Sequence, residues 1–154
     1  MEVEGYSWTV VCVQDLERSL HFYRDLLGLK VVDQFDTKDR LESVRFHEKL
    51  FNMSNLHFLG ANLVDKTTPV KLQLVQFISP PSKPRPENWT LTDIGFMRMI
   101  FRVESVDAAY EELSKKGVRF VAPPAKRPGG GANVLAYDPD GNIVPLSEAA
   151  PESK

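Results

Sequence analysis

Cysteine is nearly absent: Cys12 is the single one among 154 residues, so neither an intrachain disulfide nor a cysteine-cluster metal site is available. A basic excess is missing too. Nineteen Lys+Arg stand against 21 Asp+Glu, for a net charge of −2, and no basic stripe of the kind that neutralises phosphates is present, which argues against a nucleic-acid partner. No apolar run approaches the roughly 18 residues of a membrane helix. The opening Met1-Glu2-Val3-Glu4 is acidic where a signal peptide carries lysine, so the expectation is a cytoplasmic chain without a membrane partner. What remains is 42% hydrophobic, 26% charged and 10% aromatic residues, the profile of an ordinary globular protein. A chain of this size buries about 70% of its unfolded surface, enough for one core or two small fused ones.

The order of elements follows from hydrophobic period. Tyr6 to Val13 is a β-branched and aromatic run, and Leu16, Leu20, Tyr23 and Leu27 follow at helical spacing, so a strand precedes a helix. Asp15 is placed to cap that helix and Gly28 to stop it. Leu29 to Gln34 predicts a second strand, Asp36 to Glu42 a turn, Leu41 to Phe51 a short helix, and Asn55 to Val64 with Val70 to Ile78 two more strands. Four prolines within Pro80 to Pro86 sustain neither helix nor central strand and read as a semi-rigid linker. Order resumes with a strand from Phe96 to Val103, a helix from Val106 to Lys116 capped by Ser105, Gly117, and strands at Val118 to Val121, Asn133 to Tyr137 and Ile143 to Leu146.

A shift of about 90 residues places Val13 on Val103, Leu16 on Val106, Ser19 on Ala109 and Leu20 on Tyr110, and internal repeats of this kind define the architecture. The fold expected is α+β: two β-α-β-β-β modules forming a curved sheet around a shared cavity. Its parts are a first module over 1–79, a proline-rich linker over 80–94, a second module over 95–148 and a tail over 149–154, in a single structural domain. The alternative is a dimeric ferredoxin-like barrel, which needs β-α-β-β-α-β order.

Three segments carry a family resemblance. Val13-Gln14-Asp15-Leu16-Glu17-Arg18-Ser19-Leu20-His21-Phe22-Tyr23-Arg24-Asp25-Leu26-Leu27-Gly28-Leu29 resembles the opening of the vicinal oxygen chelate superfamily, which includes glyoxalases, bleomycin and fosfomycin resistance proteins, methylmalonyl-CoA epimerases and extradiol dioxygenases. Phe101-Arg102-Val103 through Lys116-Gly117-Val118 resembles that family's second module, and Tyr137-Asp138-Pro139-Asp140-Gly141-Asn142-Ile143-Val144 its closing turn and strand. The similarity covers about residues 5 to 148. Fold alone does not fix a reaction.

The resemblance implies up to four metal ligands, one from the first and one from the last strand of each module. Counting along this sequence puts Trp8, Gln73, Arg98 and Pro145 at those positions. An indole and a proline offer no donor atom and a guanidinium is a permanent cation, so only Gln73 is able to coordinate, and a divalent site needs more ligands than one amide oxygen. No metal and no cofactor is therefore expected. Period-2 alternation puts Trp8, Val10 and Cys12 on one face, Lys71, Gln73, Val75 and Phe77 on another strand's face, and Arg98, Ile100 and Arg102 on a third. His21 and His47 read as surface histidines; His57 is the one whose strand leaves it open to a cavity role. The candidate ligand-binding residues are thus Trp8, Gln73, Arg98, Cys12, His57 and Ile100, with no catalytic residue identified.

Two functions remain open. One is metal-independent, bleomycin-resistance-like binding of a small organic ligand, anionic or aromatic, with an arginine fork for the anion and an apolar wall for the body. The other is a metal-independent isomerase, lyase or cyclase using the same cavity. Both take a small molecule as partner, and the resemblance implies a homodimer.

Overall fold

The computed structural model describes residues 8–67, 71–90, 92–95 and 99–150, and the chain divides into two compact units, Met1–Pro84 and Arg85–Lys154. The expected strand starts at Tyr6 and Val70, the segment Phe96 to Arg98, and the last four residues lie outside the described residues.

In the first unit, strand β1 (Trp8–Cys12) leads to helix α1 (Leu16–Leu20), which runs on as a π-helical turn over His21–Leu26. The Asp15 carboxylate accepts the Arg18 amide hydrogen at 2.9 Å, satisfying one of the orphan donors that every helix N-terminus leaves. Gly28, at φ 76°, supplies the left-handed residue that ends the helix. There follow β2 (Lys30–Asp36), a 3-10 turn over Thr37–Asp39, α2 (Leu41–Phe51), β3 (His57–Val64) and β4 (Lys71–Ser79). The sheet order is β1-β4-β3-β2. β1 and β4 are parallel, while β4, β3 and β2 run antiparallel in turn.

This unit's core lies on the α1 side of the sheet. Helix α1 packs on β3 and β4, and Leu16, Leu20 and Tyr23 join Ala61, Leu63, Leu72 and Leu74 as buried side chains. Each fully buried leucine contributes about 1.5–3 kcal/mol relative to an exposed one. The buried Thr37 hydroxyl donates to the Phe58 carbonyl and accepts from the Phe58 amide, both at 2.9 Å, so the 3-10 turn is locked to β3. Helix α2 differs: none of its residues is fully buried, and Leu41, Phe46, Leu50 and Phe51 are exposed.

The second unit repeats the pattern. It consists of β5 (Phe101–Arg102), α3 (Val106–Lys115), β6 (Ala125–Lys126), β7 (Ala132–Tyr137) and β8 (Ile143–Ser147), in sheet order β5-β8-β7-β6, with β5 and β8 parallel. The fold is α+β, built from two β-α-β-β-β modules, the first carrying α2 as an extra helix between its second and third strands. The repeat extends to single hydrogen bonds. Ser105 caps α3 by accepting from the Ala108 amide at 3.2 Å. The first helical amide of each module donates to a side chain of its last-strand segment: Leu16 to Gln76 Oε1 and Val106 to Glu148 Oε2, both at 2.9 Å.

Among the described residues two expected strands are shorter than their sequence patterns. Val118 to Val121 contributes a bridge between Phe120 and Ala136, flanked by hydrogen bonds from the Val121 amide to the Leu135 carbonyl and from the Tyr137 amide to the Arg119 carbonyl; Pro123 and Pro124, which have no amide hydrogen, keep the ladder from running on. Pairing resumes at Ala125–Lys126. Of Phe96 to Val103 the structure pairs Phe101 and Arg102 with Leu146 and Ser147.

Candidate functional site

Strand register decides which side chains meet. In the first sheet Val10 pairs with Gln73, Gln73 with Asn62 and Asn62 with Asp33, while Trp8 pairs with Lys71 and Cys12 with Val75. Side chains in register share a face, so Trp8, Val10, Cys12, Lys71, Gln73, Asn62 and Asp33 lie together on the face away from the α1 core. That face is exposed at Trp8 (41%) and Val10 (59%). Three of the sequence-derived site residues, Trp8, Cys12 and Gln73, are therefore neighbours on one surface.

A ladder of polar side chains crosses this face. Gln73 Nε2 donates to Asn62 Oδ1 at 2.9 Å, Asn62 Nδ2 donates to Asp33 Oδ2 at 3.3 Å, and Arg40 clamps both Asp33 oxygens at 3.0 and 2.9 Å. Arg40 also lies over the Phe35 ring, 4.6 Å from its centroid. The tip of the Phe35 ring in turn lies against Gly60, where a Cβ would overlap it; the absence of a side chain at Gly60 is what permits this close approach. At the other end the Lys71 ammonium sits 4.6 Å from the Trp8 ring centroid, a cation held on an aromatic face. Helix α2 closes one margin, its His47 ring 5.2 Å from that of Phe58. His47 Nδ1 donates to the Ser43 carbonyl at 2.7 Å, which commits it to the helix.

The remaining sequence-derived residues lie elsewhere. His57 Nε2 is 2.9 Å from Asp36 Oδ1, a pairing at the end of β2 rather than with Gln73. Ile100 is exposed, just ahead of β5, and Arg98 lies outside the described residues. Cys12 Sγ is 3.4 Å from Ser82 Oγ, and that hydroxyl also accepts from the Phe77 amide. Sequence reasoning missed Asn62, Asp33, Arg40 and Phe35: alternation assigns each a face only within its own strand, and the register that aligns them is not written in any one strand. A groove of about 510 Å³ on the α1 side is lined by Asp15, Glu17, Asp36 and Gln76 among others. Its polar groups serve the fold: Asp15 and Gln76 cap α1, Glu17 accepts from Gln34, and Asp36 takes the Lys38 amide.

Electrostatics follow the hydrogen bonds. The Arg40 guanidinium holds the Asp33 carboxyl below the ordinary carboxylate range, with Asn62 adding a smaller contribution. On the helix surface Arg24 draws Asp25 down to about 2. A carboxylate whose folded pKa is depressed stabilises the fold above its unfolded pKa near 4 and loses that contribution as pH falls through the folded value. The urea midpoint of the native chain is thus expected to exceed that of Asp33→Asn at pH 7, and the gap to close as the pH falls below about 4 and through the depressed pKa of Asp33. A gap that stays constant throughout the acid range would show that Asp33 is not held as an ion.

The family's metal can be tested against these residues. At the counted positions stand an indole (Trp8), an amide already tied to Asn62 (Gln73) and a proline (Pro145), and among the described residues no group of three His, Cys, Asp or Glu side chains converges. This donor set does not fit a divalent ion.

Comparison with known proteins agrees with the architecture. The sequence profile of the Glyoxalase/Bleomycin resistance protein/Dioxygenase superfamily matches residues 5–146, and the chain belongs to that superfamily. It is 28% identical to the lactoylglutathione lyase of Schizosaccharomyces pombe over 99% of its own length, and it spans about half (51%) of that relative. A glyoxalase family protein from Bacillus cereus superposes with a TM-score of 0.85 at 16% identity, covering 98% of this chain and 97% of that one. TnmS3, an antibiotic binding protein from Streptomyces sp. CB03234, gives 0.63 at 20% identity, covering 97% and 99%. Among the described residues no helix is long and apolar enough to cross a membrane.

Proposed function

We propose that this chain holds a small organic ligand, anionic or aromatic, without a metal ion, against the exposed face of its first sheet. The observation that carries the reading is the gathering of Trp8, Val10, Lys71 and Gln73 on that face. An aromatic ring and aliphatic surface supply apolar contact, Lys71 supplies a cation and Gln73 a fixed polar group. Arg98 and Ile100 belong to the proposed ligand set on the sequence alone. TnmS3, of the same fold, is an antibiotic binding protein, which supports a binding role for such a scaffold. The acids and histidines nearest this face are engaged: Asp33 by Arg40, His57 by Asp36 and His47 by Ser43. A carboxylate held low by an arginine is a weak general base, and this favours binding over turnover.

The second reading, a metal-independent isomerase, lyase or cyclase in the same place, draws its support from the lactoylglutathione lyase relative. Mass spectrometry of gently purified protein separates the two: a co-purifying small molecule recovered unchanged after incubation supports the binder, and its conversion supports the enzyme. Elemental analysis is expected to find no stoichiometric nickel, iron, zinc or manganese, and chelator to leave that molecule bound. One metal ion per chain, lost together with the small molecule, would overturn metal independence.

The reading also includes a homodimer in the cytoplasm, a reducing compartment that suits the lone thiol of Cys12. The exposed apolar side chains of α2 are a surface that a second copy would cover. Light scattering is expected to give twice the 17.4 kDa of the chain; a particle of one chain's mass at micromolar concentration counts against it.

A further inference from the structure

We propose that Asp33, acting through Asn62, fixes the side-chain amide of Gln73 with its carbonyl oxygen toward the ligand, so that the group bound there is a hydrogen-bond donor, a hydroxyl or N–H. The inference rests on the proposed binding face and specifies which chemistry that face takes.

The argument is one of donors and acceptors. An ionised carboxylate only accepts, and both Asp33 oxygens already receive Arg40. Asn62 must therefore turn its NH₂ toward Asp33, which it does at 3.3 Å. That leaves Asn62 Oδ1, an acceptor, facing Gln73. Gln73 must answer with its own NH₂, at 2.9 Å. Its Oε1 then has no hydrogen-bond partner among the described residues and sits on the strand position paired with Val10. Each amide would otherwise be free to flip; one acid at the far end of the ladder removes that freedom from both. A ligand carbonyl or carboxylate against Gln73 would meet oxygen with oxygen. Lys71, two residues along the same strand face, is the group available to an anion.

The substitution Asp33→Ala would remove the acid and leave Asn62 and Gln73 as an isolated pair of amides. The pair closes equally well in either sense, so Gln73 would present its oxygen or its N–H outward in comparable share. Removing Arg40 leaves Asp33 an acceptor and leaves the direction unchanged. A residue that merely supported the strand would give no such contrast between the two variants.

The experiment has two readouts on the whole chain. Neutron diffraction of deuterium-exchanged crystals shows the amide deuterons directly: Gln73 Nε2 is expected toward Asn62 in the native protein and in Arg40→Met, and divided between the two senses in Asp33→Ala. Titration with 3-hydroxybenzoate and 3-formylbenzoate, matched aromatic carboxylates that differ in a donor and an acceptor, reads the ligand side. The native chain and Arg40→Met are expected to bind the hydroxy compound about five- to tenfold more tightly, and Asp33→Ala to lose most of that preference. An undiminished preference in Asp33→Ala, or deuterons in the opposite sense in the native protein, overturns the proposal. If neither benzoate binds, the donor-selective site is overturned along with the binding face, while the deuterons still decide whether Asp33 orients Gln73.

Discussion

Replacing Leu74 by alanine is expected to destabilise the first unit by about 2–5 kcal/mol, read as a lower urea midpoint at unchanged slope. Leu74 is fully buried and pairs with Val11 on one side and Ala61 on the other, so the missing methyl groups leave a cavity that sheet neighbours cannot fill. The adjacent residue makes the control. Gln73 points to the opposite face, and Gln73→Ala removes one partly exposed hydrogen bond to Asn62, a loss of about 1 kcal/mol, while it removes the polar contact proposed for the ligand. Alternation along β4 thus separates stability from binding at two consecutive residues. Equal destabilisation by the two variants would mean that Gln73 belongs to the core and that the exposed face is misassigned.

Asp138→Ala is expected to cost the second unit about 3 kcal/mol. Asp138 is 2% exposed. Its Oδ1 accepts the amides of Asp140 and Asn142 at 2.9 and 2.8 Å, and its Oδ2 accepts Asn142 Nδ2 at 2.8 Å, so one side chain holds the turn that joins β7 to β8. Truncation leaves these donors without their charged acceptor, and charge-assisted hydrogen bonds are the stronger kind. Asp138→Asn keeps the shape and part of the bonding and is expected to lose less. Thermal melts of the two variants check the order; an alanine variant as stable as the native chain would show that water replaces the carboxylate and that the turn is held by Gly141 and the strands alone.

The same turn shows how far local sequence reaches. Asp-Pro-Asp-Gly is turn chemistry in any context, and the structure joins β7 to β8 there. Asp15 and Ser105 were legible as caps for the same reason: each needs only the amide three residues on. Helix α2 forms over Leu41–Phe51, where mixed apolar spacing suggested a short helix. The π-helical turn at His21–Leu26 was not legible, since its apolar spacing satisfies an α-helix equally well. That the strand expected at Val118 to Val121 does not run on into Ala125–Lys126 follows from Pro123 and Pro124, local residues without the amide hydrogens that a ladder needs.

The sequence by itself determined the repeat, the caps, the glycine stops and the residue types at the family's metal positions, because each depends on the chain within a few residues or on a count along it. Tertiary structure alone decided that Asp33, Asn62 and Gln73 form one ladder with Arg40 at its end, and that His57 turns to Asp36. These residues come from separate strands and a turn spanning some forty positions of sequence. Their alignment depends on strand register, and the β-bulge between Val31 and Asp33 sets which side chain of β2 meets Asn62. One residue more or less at that bulge would turn Asp33 to the other face.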